Sequence, residues 1–172
     1  MAGEGYKRLF SMARETAYLN TAAEGLPFPE CAEALQEYYA DRVRGSMGRR
    51  ALFDTADQTI GLAADLLQAD TKDVVLLSSA SEALCLLASS LSWRPADEVI
   101  ITDLEFPSNV LPWLRLKGTG VRIHVIPSEG GAVPWRQVAN RLSARTRLVS
   151  VSLVSYKTGA YLARLKIGRA HV

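Results

Sequence analysis

Leu76 to Ala88 reads LLSSASEALCLLA, an aliphatic run that breaks into serines and resumes as a helical pattern. Val74 to Leu77 predicts a strand, and Ser79 with Glu82 has the S-x-x-E spacing in which a serine caps a new helix while the glutamate reaches back. The first helical turn leaves N–H groups without intrahelical partners, and its dipole adds partial positive charge, so a phosphate can accept several hydrogen bonds there. The hydroxyls of Ser79 and Ser81 add donors. A plain capping box accounts for the same residues without any ligand, and at this point both readings stand. No G-x-x-x-x-G-K-[ST] and no G-x-G-x-x-G occurs, so a phosphate held here belongs to something other than a nucleotide on a glycine-rich loop.

Working outward, short aliphatic runs alternate with helical patterns. Strands are expected at Val74–Leu77, Glu98–Thr102, Val121–Ile126 and Arg147–Val151, with helices at about Ser81–Leu91, Asn109–Lys117 and Pro134–Ser143 between and after them. This order predicts an α/β fold, a mostly parallel sheet with flanking helices. Upstream lies a helical segment. Ala34, Leu35, Tyr38 and Val43 share a face of a helix from Cys31 to Arg44, with Gly45 placed as its stop. Gly45 to Arg50 reads as a flexible basic loop, and Phe53, Ala56, Ile60, Ala63 and Leu67 mark a second amphipathic helix to about Gln68. The expected division is 1–70 as N-terminal arm and helices, 71–165 as the α/β part, and 166–172 as a tail.

With 172 residues, 48% of them hydrophobic, the chain can bury a sizeable core. Lys and Arg total 20 against 18 for Asp and Glu, which gives no electrostatic reason to expect nucleic acid or an anionic membrane surface. Cys31 and Cys85 stand far apart in helical patterns and match neither a disulfide framework nor a metal site, which fits a reducing, cytoplasmic setting. No run approaches the roughly 20 apolar residues of a membrane span. His124 falls within the alternating strand VRIHVI and reads as structural; with His171 in the tail, no Ser-His-Asp or metal constellation can be assembled.

Two further strand ends carry polar or aromatic groups. In Thr102 to Trp113, TDLEFPSNVLPW, Pro107 and Ser108 begin a helix and leave the Phe106 ring free to project into the crevice at the strand end, where it can cover a planar ligand. Phe106 as a core aromatic and Pro112 as a kink are the plainer alternatives. In Ser150 to Gly159, SVSLVSYKTG, Ser155 and Tyr156 can reach a ligand or merely bond the turn, and Gly159 can take positive φ. Lys157, a turn lysine beside Thr158, has no evident desolvation to lower its pKa and reads as a solvated charge.

YLNTAA (Tyr18 to Ala23), LLSSASEALCLLA, TDLEFPSNVLPW and SVSLVSYKTG, in this order and spacing, resemble the first half of the class V aminotransferase family, over about Tyr18 to Leu165. These are fold type I pyridoxal-phosphate enzymes that include cysteine desulfurases, selenocysteine lyases and isopenicillin-N-epimerase-like proteins. The resemblance implies the first part of the pyridoxal-phosphate-binding large domain and an amino acid or related amine as substrate. It implies cofactor contacts at Ser79, Ala80, Ser81, Phe106 and Tyr156: small or hydroxylated residues at the phosphate, an aromatic ring on the pyridine, and a contact to the ring hydroxyl. It also implies that Asn20, Ala22 and Ala23 border the substrate pocket, with Arg49 or Arg50 in the loop before the second helix. A homodimeric parent is expected, because family enzymes are usually dimers.

Two departures shape these expectations. Desulfurases usually carry a histidine where this chain has Phe106, and phenylalanine cannot exchange protons, which favours the aminotransferase or epimerase-like branches. The aspartate that pairs with the pyridine nitrogen and the Schiff-base lysine are expected downstream of Leu165, so the chain alone is expected to be inactive. Ile167 to Val172 matches the translation of a common sequencing adapter, and 166–172 is expected to be non-native, an ordinary frayed terminus being the plainer alternative. The competing readings are a non-catalytic α/β module that binds a phosphorylated small molecule, and an unrelated doubly wound nucleotide-binding protein that the absent glycine-rich fingerprints disfavour.

Overall fold

The computed structural model describes residues 9–10, 16–21 and 23–162. Ala22 and the tail from 166 onward, both subjects of expectations above, lie outside the described residues. The chain divides into two compact units that meet between Leu76 and Leu77.

The first unit holds helix α1, Glu30–Val43, and helix α2, Arg49–Leu67. Glu30 and Glu33 sit in the first turn of α1 and Arg42 in its last, each opposite in sign to the helix dipole it meets. Gly45 takes φ of 61°, the left-handed stop expected of it. The flexible loop expected from Gly45 to Arg50 is shorter than that: Gly45–Met47 is a turn of 3-10 helix, and Arg49 and Arg50 already belong to α2. Gly48 makes the reversal possible, since a Cβ there would lie 1.9 Å from the Asp41 carbonyl oxygen.

The second unit is the α/β part. Its elements are α3 (Ala80–Ser90), β1 (Glu98–Thr102), α4 (Leu111–Arg115), β2 (Arg122–Ile126), α5 (Trp135–Arg141) and β3 (Thr146–Val149). The three strands pair in parallel in the order β2-β1-β3, with Ile100 level with His124 on one side and Val149 on the other. β1 is central and all five of its residues are buried, which is why its sequence is an aliphatic run rather than an alternation. Successive side chains still go to opposite faces. Val99 and Ile101 pack with Ala88, Trp113 and Val121, so α3 and α4 cover one face. Ile100 packs with Ile126 and Val138, so α5 covers the other.

Two expectations need correction. Val74–Leu77 forms no strand: no neighbouring strand among the described residues takes up its backbone, and Val75, Leu76 and Leu77 are exposed. The single helix expected over Asn109–Lys117 is three pieces, a 3-10 turn at Pro107–Asn109, α4, and a 3-10 turn at Leu116–Thr119. Proline lacks an N–H, and Pro112 opens α4 at its first turn instead of kinking a longer helix.

Candidate functional site

The turn from Ser78 to Glu82 forms as a variant of the expected capping box. Ser79 is the N-cap of α3, in extended backbone, and its Oγ accepts the Glu82 N–H at 3.2 Å. The reciprocal bond goes one residue earlier than expected. The Ser78 N–H and hydroxyl both donate to the Glu82 carboxylate, at 2.8 and 2.7 Å. These bonds, the hydroxyl's first, hold the Glu82 carboxyl below its ordinary pKa. Ala80 and Ser81 open the helix, so their N–H groups have no intrahelical acceptor. Ser79, Ala80 and Ser81 are exposed, and the Ser79 hydroxyl keeps its own proton to donate while its oxygen accepts.

Parallel pairing puts the C-terminal ends of all three strands at one end of the sheet, where open α/β sheets place ligands. Phe106 and Tyr156 meet there: their ring centroids are 5.0 Å apart at an interplanar angle of 83°, edge to face. Phe106 is 52% exposed and Tyr156 50%, which removes the core-aromatic reading of Phe106. α3 packs beside the Pro107–Asn109 turn that follows Phe106, so the capped start of α3 and the aromatic pair belong to one unit. Ser155 is buried in the turn that carries Tyr156, where its Oγ accepts the N–H groups of Lys157 and Thr158 at 3.2 and 3.3 Å. Lys157 is exposed, and Gly159 takes φ of 71°.

The residues expected to border a substrate sit in the first unit. The Asn20 carbonyl accepts the N–H groups of Ala23 and Glu24 at 3.1 and 3.0 Å, making a turn of the YLNTAA stretch. Arg49 is exposed at the start of α2, and Arg50 pairs with Asp54 at 3.1 Å.

Sequence reading missed the groups that tie the strand-end loops together. Ser128 Oγ donates to Asp103 at 3.1 Å, joining the loop after β2 to that after β1. Thr158 Oγ1 donates to the Gly131 carbonyl at 2.7 Å, joining the loop after β3 to that after β2. The third link is Glu105, buried at 7% exposure. Its carboxylate accepts from Thr102 Oγ1 (2.8 Å), Asn109 Nδ2 (2.8 Å), Ser152 Oγ (2.6 Å) and the Ser152 N–H (3.0 and 3.1 Å to its two oxygens). Beneath these loops lies a pocket of about 30 Å³, lined in part by Thr102, Glu105, Ser152 and Ser155. It is the size of a water site.

Comparison with known proteins identifies the fold and the family. A C-DES mutant with glycine covalently linked to its PLP cofactor superposes with a TM-score of 0.79 at 19% identity, covering 91% of this chain and 43% of that one. The cysteine desulfurase CsdA of Escherichia coli superposes with a TM-score of 0.78 at 22% identity, covering 92% and 43%. The class these likenesses define is the fold type I large domain. The aminotransferase class-V model matches residues 17–171, and a probable cysteine desulfurase of Methanothermobacter thermautotrophicus is 30% identical over 98% of this chain and 44% of its own length. The chain therefore belongs to the class V aminotransferase family, whose cofactor is pyridoxal phosphate. It spans less than half the length of these relatives.

Proposed function

We propose that this chain supplies the phosphate turn and the ring-facing aromatics of a pyridoxal-phosphate pocket, in an enzyme acting on an amino acid or related amine. The observation that carries the reading is the pairing of Phe106 with Tyr156 at the strand ends, in the same unit as a helix N-terminus that presents exposed donors. The donor set suits the group: the N–H groups of Ala80 and Ser81 and the hydroxyls of Ser79 and Ser81 meet a phosphate, and Phe106 offers an open aromatic face. Turning the Glu82 carboxylate back onto Ser78 keeps its charge engaged locally. Tyr156 would hold the ring hydroxyl through its phenol, as the family resemblance implies.

Bound there, the cofactor supplies the electron sink for chemistry at a substrate α-carbon. The strand-end residues of this chain bind and orient it. Phe106 has no titratable proton, which supports the aminotransferase or epimerase-like branches over the desulfurases. By the family resemblance the anchoring lysine and the partner of the pyridine nitrogen lie in the part of the relatives that this chain does not span, a reading in which these 172 residues are inactive by themselves and the complete parent is a homodimer. The roles of Asn20, Ala23 and Arg49 toward the substrate rest on the family resemblance.

The test is a pyridoxal-phosphate titration of the 172-residue chain, followed by circular dichroism in the cofactor's absorption band. Saturable induced signal, competed by inorganic phosphate and weakened by Ser81→Ala, is expected, without turnover. Equal affinity for inorganic phosphate and the cofactor would favour the small-molecule-binding module instead. Stoichiometric borohydride labelling of Lys157 would overturn the inactive-chain reading.

A further inference from the structure

Glu105 is a carboxylate whose surroundings are all donors. Thr102, Asn109 and Ser152 give it hydrogen bonds, and no cation pairs with it among the described residues. The orientation of Asn109 is not free. The Trp113 indole N–H, which can only donate, bonds Asn109 Oδ1 at 3.0 Å, and the Ser150 hydroxyl donates to the same oxygen. Asn109 must therefore turn its Nδ2 toward Glu105, whose two carboxyl oxygens take up Nδ2 and the Ser152 N–H together. The bonds join residues 47 positions apart, the loop after β1 and the exit of β3. Glu105 adjoins Phe106, and Ser152 leads into the turn that carries Tyr156.

We infer that Glu105 is the positioning residue for the aromatic pair: its carboxylate clamps the two strand-end loops at the separation that sets Phe106 edge to face with Tyr156. The clamp acts on ring geometry from beneath, through Ser152 and Asn109. Trp113 belongs to the core cluster that anchors the clamp to the sheet. For its effect on the cofactor the inference rests on the reading above; for the ring geometry it stands alone.

The experiment compares the Tyr156 ring-proton resonances in the wild-type 172-residue chain, Phe106→Leu, Glu105→Gln and Ser152→Ala. Phe106→Leu removes the ring current and defines the uncoupled position. Glu105→Gln sets an amide NH₂ against a donor, and is expected to move the Tyr156 resonances at least halfway to the Phe106→Leu values while the Ile100 and Val138 methyls stay in place. Ser152→Ala, which keeps the backbone donor, is expected to move them less in the same direction. A folded Glu105→Gln chain with unmoved Tyr156 resonances overturns the inference. Should that variant not fold, Ser152→Ala decides by the same criterion. A parallel pyridoxal-phosphate titration separates the two readings: at least tenfold weaker binding by Glu105→Gln is expected, and absence of binding by wild type defeats the cofactor reading while the resonance shifts still decide the clamp.

Discussion

The Glu82 carboxylate accepts both the N–H and the hydroxyl of Ser78, one residue before the serine that caps its helix. Both bonds favour the ionised form, so the folded pKa of Glu82 lies below its ordinary value, and the Ser78 hydroxyl is the larger cause. A depressed carboxyl pKa gives stability that is present above the ordinary value and is lost as pH falls through the folded pKa. Ser78→Ala is expected to raise the Glu82 pKa toward the ordinary value, and a carboxyl-carbon NMR titration reads it directly. An unchanged titration would show that the Ser78 hydroxyl makes no bond to Glu82 in solution.

Phe106 and Tyr156 touch through ring edge and face while each remains about half exposed. Such pairs contribute about 0.5–1.5 kcal/mol beyond burial, and with both rings solvated the lower end applies. A double-mutant cycle with Phe106→Leu and Tyr156→Leu, followed by urea unfolding, is expected to return a coupling near that lower end. The same two single variants should each weaken pyridoxal-phosphate binding, whereas Val138→Ala, on the opposite face of the sheet, should lower stability and leave that affinity unchanged.

What the sequence revealed and what it hid follow from the range of the forces involved. β1 was readable because a strand buried on both faces is a continuous aliphatic run, and α1 and α2 were readable from their spacing, with Gly45 as the stop of α1. The capping role of Ser79 is local and was also readable. Val74–Leu77 has strand composition, but a strand exists only with a neighbour, and composition carries no record of one. Pro112 fits both a kink and a helix start; the tertiary setting chose the start. At the strand ends, the family resemblance singled out Phe106 and Tyr156, and the fold brings their two rings together. The Glu105 clamp was not legible, because Glu105 and Ser152 are brought together only by parallel pairing of β1 and β3.

Gly48 is exposed to a sharper test than any packing estimate. A Cβ at this position would lie 1.9 Å from the Asp41 carbonyl oxygen and 2.6 Å from its carbon, both backbone atoms that cannot swing aside. Relief requires moving the end of α1 away from the start of α2. Gly48→Ala is therefore expected to cost about 1–3 kcal/mol or more in urea unfolding, the range typical of forced overpacking. Gly61→Ala, in open space within α2, serves as the control and should be neutral or stabilising through helix propensity. Equal behaviour of the two variants would show that α1 and α2 do not turn as tightly as described.

Glu98 offers a pH-dependent test on the strand ends away from the aromatic pair. Its carboxylate accepts the Ser143 hydroxyl at 2.7 Å and lies 3.5 Å from His124 Nε2, while Arg141 reaches His124 Nδ1 at 2.6 Å. The Ser143 bond is the main reason its pKa falls below the ordinary 4.5, with His124 and Arg141 adding to it. The sign follows as for Glu82: the stabilisation is full above 4.5 and disappears as pH drops through the lower, folded value. Ser143→Ala should thus be less stable than wild type at neutral pH, with the gap narrowing below 4.5. The Ser143 hydroxyl also accepts the Arg145 N–H at 3.1 Å, so a residual, pH-independent gap is expected in acid. Chemical unfolding at a series of pH values separates the two parts, and a gap that does not narrow would place the whole effect in the Arg145 bond.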